Sequence, residues 1–338
     1  MALCMSAAAA IAPAQTTRPS VASIAGQPPV RLIFDTDMDS DCDDAGALGI
    51  LNALADLGEV QPLAVMTSSL EPHSAACISA INTYYGRGSL PIGTARAPAP
   101  TYKSKYTGVV ADKCPHPLKN ATDAPDAVSL YRQILSQQPD GSVTLLTLGD
   151  MTNPAKLMQD PKDVDLVKRK IKLWVCMGGN FIGHPAKDDL KLGNNNFTID
   201  AKATYQAITN WPGPIVYAGR EMCSVPSGLQ AGARLSTTSA DNPVRIAYEA
   251  YLGGPSKNRH IADLVATVFA VRGLGDNWDA EPGAMDLHKN MTFEWRYDLN
   301  RPQAYLLKKK VNGQSNDHQI EKMVEDLLIR PPATKPAN

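Results

Sequence analysis

The chain has 338 residues, a net charge of −1, 43% hydrophobic residues and 6% aromatic residues. The near-zero charge leaves nucleic-acid binding without an electrostatic basis, and so few aromatics argue against a stacking platform for single strands. No apolar run is long enough for a membrane-crossing helix, while the hydrophobic content suffices for a large core.

In chain order, residues 1–15 are Ala-rich and apolar, and Ala12-Pro13-Ala14 has the small-residue pattern of a leader cleavage site. The stretch reads as a signal peptide whose basic first region is missing. It predicts a periplasmic or secreted protein, or a cytoplasmic one if the leader does not function. Residues 16–29 read as a disordered Pro/Ser/Thr linker, 30–332 as one domain and 333–338 as a short tail.

Val30 to Phe34 is an apolar β-type run, and the apolar stretch with Leu48, Ile50, Leu51, Leu54 and Leu57 reads as a helix. Glu59–Ser69 is the next strand with its loop, His73–Tyr85 a helix and Leu90–Thr94 a short strand. Ala97–Asn120 lacks periodicity and reads as a surface loop. Asp126–Gln137 has helical spacing. Ser142–Leu148, Ile171–Met177 and Pro214–Ala218 are near-continuous apolar runs, the mark of strands buried on both faces. Arg259 to Val271 opens and continues an apolar helix. Strands alternating with helices predict an α/β fold, with a Rossmann-like, mostly parallel central sheet flanked by helices. Cys4, Cys42, Cys77, Cys114, Cys176 and Cys223 follow no zinc spacing and read as buried thiols.

The first strand runs directly into Asp35, Asp37, Asp39, Asp41, Asp43 and Asp44. Acids at a helix N-terminus ordinarily complement its dipole and cap its free N–H groups. Six such acids exceed that role. Ionised carboxylates this close repel unless a cation or donors lie among them, so the cluster reads as a metal or polyol site. Oxygen ligands of this kind suit Ca²⁺ or Mg²⁺. The cluster follows a strand, and open α/β sheets bind ligands at the carboxyl ends of strands.

Three families place aspartates this densely. An EF-hand needs Gly at loop position six and Glu at position twelve, but counting from Asp35 these are Ser40 and Gly46. A haloacid-dehalogenase-like phosphatase has Asp-x-Asp-x-Thr/Val, and Asp39 stands where the Thr or Val belongs. The third fits better. Asp35-Thr36-Asp37, a loop, then Asp43-Asp44-Ala45 and an apolar helix resembles the signature of the inosine/uridine-preferring nucleoside hydrolases. The compact signature has three residues between its second and third aspartates. This chain has five, with Asp41 extra, and so resembles a divergent branch.

Later segments match in order. Leu148-Gly149-Asp150-Met151-Thr152-Asn153 stands where the family has Gly-Pro-Leu-Thr-Asn, whose Thr carbonyl ligates calcium. Met177-Gly178-Gly179-Asn180 and Asn194-Asn195-Asn196 stand where the family has Met-Gly-Gly and then Glu-aromatic-Asn on the sugar hydroxyls. Asn194 occupies the Glu position. Thr67-Ser68-Ser69 replaces a common Gly-Asn. Asp263 matches the last metal aspartate, but Ala262 stands where the best-known members have His, and His260 is out of register with it. His184 reads as a surface histidine. Ile320–Pro331 looks like the helix that closes the branch's domain.

The resemblance implies a calcium-dependent ribonucleoside hydrolase, acting on a small-molecule substrate and commonly forming homo-dimers or tetramers. Asp37 is then metal ligand and general base. Asp44, Asp263, the Thr152 carbonyl and Asp41 are the other ligands. Asp43, Ser69, Asn180, Asn194 and Asn196 are the substrate contacts, and Asp35 orients the loop behind the ligands. The departures at Ala262, Asn194 and Ser69 keep open a non-catalytic calcium-dependent nucleoside or sugar binder on the same scaffold. A Mg²⁺ phosphatase ranks third.

Overall fold

The computed structural model describes residues 28–38, 41–118, 120–181, 195–222, 228–298 and 301–333. The expected leader, most of the linker and nearly all of the tail lie outside the described residues.

The elements are β1 (Val30–Thr36), α1 (Asp43–Asp56), β2 (Val60–Thr67), α2 (Ser74–Tyr84), β3 (Ile92–Thr94), α3 (Thr107–Lys113), α4 (Ala127–Ser136), β4 (Val143–Thr147), α5 (Thr152–Leu157), α6 (Pro161–Lys170) and β5 (Ile171–Met177). There follow α7 (Asn195–Thr198), α8 (Ala201–Asn210), β6 (Ile215–Ala218), β7 (Gln230–Ala231), α9 (Pro243–Leu252), β8 (Arg259–His260), α10 (Ala262–Arg272), β9 (Trp278–Leu287), β10 (Phe293–Arg296) and β11 (Gln303–Lys308). The hairpin β12 (Lys310–Val311) and β13 (Gln314–Ser315) leads into α11 (Asp317–Leu328).

The main sheet has nine strands in the order β10-β9-β11-β6-β5-β4-β1-β2-β3. β3 through β6 are parallel neighbours, β11 joins β6 in parallel, and β9 and β10 are antiparallel. This is the mostly parallel, helix-flanked sheet expected from the alternation of elements. Successive side chains of a strand point to opposite faces. Leu32 and Phe34 of β1 therefore enter the core shared with α1, α2, α10 and α11, while Ile33 enters the core shared with α4 and α8.

Two segments depart from expectation. Ala97–Asn120 is not all surface loop, because α3 lies within it and Tyr106, Thr107 and Val110 are buried where α3 meets α2 and α9. Its apolar contacts are too few to show a period. The three strands β9, β10 and β11 carried no clear signal, since Pro282 and Gly283 interrupt β9. Pro282 is tolerated because β10 pairs only with residues 284–287, leaving β9 locally an edge at that point.

Candidate functional site

The carboxyl ends of β1, β2 and β4 are level. Asp35 pairs with Met66 and Thr147, and Thr36 with Thr67. The loops that follow are tied together. Ser68 N donates to Thr36 O at 2.9 Å, Leu148 N to Asp35 O at 2.7 Å, and Ser69 Oγ to Asp37 O at 3.0 Å. Gly149 closes this corner, because a Cβ there would lie 2.4 Å from Asp37 N and 2.7 Å from Ser68 Oγ.

Strand alternation then sorts the acids into two layers. Asp35 turns toward α4 and α5, where Tyr131 Oη donates to it at 2.7 Å and Asn153 Nδ2 at 3.1 Å. Asn153 also donates to Thr67 O at 3.0 Å, so one side chain ties the ends of two strands. Burial, opposed by these two donors, pushes the Asp35 pKa up to about 7. Thr36 turns the other way and its hydroxyl donates to Asp44.

Past β1 the chain turns sharply at Met38, whose φ of 44° is rare for a side-chain-bearing residue. Ser74 Oγ donates to Met38 O at 3.1 Å and Met38 N donates to Thr36 Oγ1 at 3.1 Å, holding that turn. The turn leads to Asp43 and Asp44 in the first turn of α1. Asp263 lies in the first turn of α10, which packs against α1. Two helix N-termini, each a partial positive charge, thus meet at these three acids. Carboxylate oxygens of Asp43, Asp44 and Asp263 lie within 4.8 Å of one another, and all three residues are buried. Asp37, also buried, is hydrogen-bonded to Asp44. Burial and then the Asp43 charge raise Asp44 to about 7, and the same two causes push Asp263 well above the carboxylate range. Asp43 is raised by burial and by Asp41.

Asp41 borders this trio, with a carboxylate oxygen within 4.8 Å of both Asp43 and His260, a second group able to hold a cation. Arg259 grips it through Nε and Nη2, His260 Nε2 lies 3.0 Å from it, and Cys42 N donates to it at 2.7 Å. Burial opposes its ionisation, but the His260 and Arg259 contacts prevail and hold it well below the usual carboxylate range. His260 reaches Asp43 as well, with Nδ1 at 3.4 Å but without the alignment of a hydrogen bond. Despite burial, Asp41 and Asp43 carry its pKa to about 10.

The remaining expected site residues surround this cluster. Thr152 is buried at the start of α5, and its N–H donates to Asp150 at 3.0 Å. Asp150 also accepts from Ser68 Oγ at 2.9 Å, and burial raises it to about 6 against the Thr152 and Ser68 donors. Ser69 spends its hydroxyl proton on Asp37 O. Asn180 is half-buried just beyond β5. Asn196 donates to Leu148 O at 2.7 Å and Met177 O at 3.2 Å, tying β4 to β5. Asn194 and His184 lie outside the described residues, as does Asp39.

Arg259, His260, Tyr131, Asn153 and Ser68 were not singled out by sequence as partners of the acids. Asn153 and Ser68 stood inside the quoted motifs without an assigned role, Tyr131 lies mid-helix in α4, and Arg259 is 218 positions from Asp41. Five carboxylates (Asp37, Asp41, Asp43, Asp44, Asp263) face two cationic side chains among the described residues. Hard oxygen donors with surplus negative charge, three of them buried within 4.8 Å of one another, fit a divalent cation such as calcium.

The fold is shared with solved structures of low sequence identity. An inosine-uridine preferring nucleoside hydrolase from Bacillus anthracis matches with TM-score 0.62 and 16% identity, over 88% of this chain and 99% of that one. A purine-preferring ribonucleoside hydrolase from Gardnerella vaginalis matches with TM-score 0.65 and 15% identity, over 88% and 98%. The type III effector protein XopQ, solved with adenosine diphosphate ribose, matches with TM-score 0.62 and 13% identity, over 91% and 94%. None of the curated proteins matches the sequence. The family model described as inosine-uridine preferring nucleoside hydrolase matches residues 32–316, which spans the aspartate loop, Thr152 and Asp263, and the chain belongs to that family.

Proposed function

We propose that the protein hydrolyses the N-glycosidic bond of ribonucleosides to ribose and free base, with calcium held at the aspartate cluster. The observation that carries this reading is the convergence of Asp43, Asp44 and Asp263 at the carboxyl end of the sheet, in a chain of this family. Asp37, Asp44, Asp263 and the Thr152 carbonyl would hold the ion. When bound, calcium lets these carboxylates stay ionised together and lowers the pKa of a nearby water.

The protein's own groups do the rest. Departure of the base leaves a sugar with oxocarbenium character, and the surplus negative charge around the site stabilises it. Asp37 takes the proton of the attacking water as general base. Asp43 accepts a ribose hydroxyl. Tyr131 and Asn153 fix Asp35, and Asp35 O in turn accepts from Leu148 N, which aligns the Thr152 segment with the aspartate loop. Ala262 has no proton to give, so the first residue of α10 does not activate the leaving base.

The test is release of reducing sugar from inosine, uridine, adenosine, guanosine and cytidine, with calcium and then with a chelator. Chelator-sensitive release is expected for at least one of them. Absence of release, with nucleosides still raising the melting temperature, would replace the hydrolase reading with that of a binder.

A further inference from the structure

Asp41, in the loop between β1 and α1, belongs neither to the proposed ligand set nor to the ribose contact. Asp41 Oδ1 accepts from Cys42 N at 2.7 Å and Arg259 Nε at 3.1 Å. Its Oδ2 meets Arg259 Nε at 3.1 Å, Arg259 Nη2, and His260 Nε2 at 3.0 Å. A carboxylate has about four lone-pair directions, so these donors leave Asp41 little to offer an ion.

The arginine is itself held. Its Nη2 donates to Tyr251 Oη at 3.2 Å, and its guanidinium lies 5.4 Å from the Tyr251 ring centroid. β8, which carries Arg259 and His260, is paired to β7. The clamp therefore joins the loop before α1 to the strand just before α10. Those are the two helices whose first turns bring Asp43, Asp44 and Asp263 together.

We propose that Arg259 is a positioning residue for the aspartate loop, holding Asp41 away from the ligand set and tying the loop to the strand that leads into α10. Asp41 in turn lies between Arg259 and His260 and offsets part of their positive charge beside the cation site. The effect on calcium rests on the nucleoside hydrolase reading; the effect on the metal-free fold does not.

Four proteins test this: the wild type, Arg259→Gln, Asp41→Asn and the double variant. Two quantities are read for each, the melting temperature in chelator and the calcium concentration giving half-maximal stabilisation. Arg259→Gln removes a neighbouring cation and frees Asp41, so calcium should bind about tenfold more tightly. Its kcat at saturating calcium should fall, since the loop is no longer fixed, and a general folding defect does not pair tighter calcium with slower turnover. Asp41→Asn leaves Arg259 unneutralised beside Asp43, so calcium should bind about tenfold more weakly. The double variant's calcium affinity should return close to wild type, while its kcat stays low. If Asp41 were a ligand, the double variant would stay as weak as Asp41→Asn, which overturns the proposal. If calcium stabilises none of the four, the cation reading fails, and the melting temperatures in chelator still decide the clamp. Each single variant should then melt lower, with the double no lower than the worse single. Additive losses would overturn it.

Discussion

Calcium should stabilise this protein more as the pH rises, and the reason is the spacing of three acids. Asp43, Asp44 and Asp263 bring oxygens within 4.8 Å of one another. At an effective dielectric of ~20, each ionised pair at that separation costs about 3.5 kcal/mol, so full ionisation costs about 10 kcal/mol. That is comparable to the whole stability of a domain, roughly 5–15 kcal/mol. Without a cation, at least one of the three must hold a proton near neutrality, in keeping with Asp44 lying at about 7. The sign follows. A carboxyl whose folded pKa is raised contributes stability below its unfolded value near 4, and that contribution is lost as pH rises through the folded value. The chelated protein should therefore weaken from pH 5 to pH 8, with Asp35 at about 7 and Asp150 at about 6 acting in the same direction. Asp41 acts oppositely, but its pKa is lowered, so it matters only in acid below that window. Calcium bound to the ionised form would displace the remaining protons. At a hundred times its dissociation constant it should add about 2.7 kcal/mol, or about 5 °C of melting temperature for a domain of this size. Melting curves in calcium and in chelator, taken at pH 5, 6, 7 and 8, should diverge as pH increases. Curves that stay parallel or converge would refute the electrostatic account of the cluster.

Other perturbations separate the roles of neighbouring residues. Asp37→Ala should reduce turnover by at least about a thousandfold, as expected where a general base and a metal ligand are lost together, and near-wild-type ribose release would remove Asp37 from the mechanism. Asp263→Asn should abolish most of the calcium-dependent rise in melting temperature while making the chelated protein more stable at pH 8, because one of three repelling charges is gone. Gly149→Ala must push its Cβ out of the space 2.4 Å from Asp37 N, so it should cost about 1–3 kcal/mol in denaturant melts and lower kcat. Tyr131→Phe removes a 2.7 Å bond to buried Asp35 and should cost about 1–2 kcal/mol in the same melts.

How the acids divide follows from a rule legible in the sequence, although their partners were not. A strand turns alternate side chains to opposite faces, and the Val30–Phe34 run fixes which face is which. Leu32 and Phe34 face α1 and α10, so Thr36 does too, and its hydroxyl meets Asp44. Ile33 faces α4, so Asp35 does too, and it meets Tyr131 and Asn153. The first aspartate is thus carried behind the sheet's end, while Asp43 and Asp44, after the turn at Met38, gather with Asp263 in front. Local pattern reaches this far because each step spans one strand or one helix start. It does not reach Arg259, whose partner lies 218 positions away, nor the β9–β11 edge, whose strands pair with one another and with β6. The loop's two added residues and extra acid looked like one more ligand in the sequence. The fold also meets Asp41 with Arg259 and His260, so the acid of the longer loop comes with counter-charges from a strand that no local pattern ties to it.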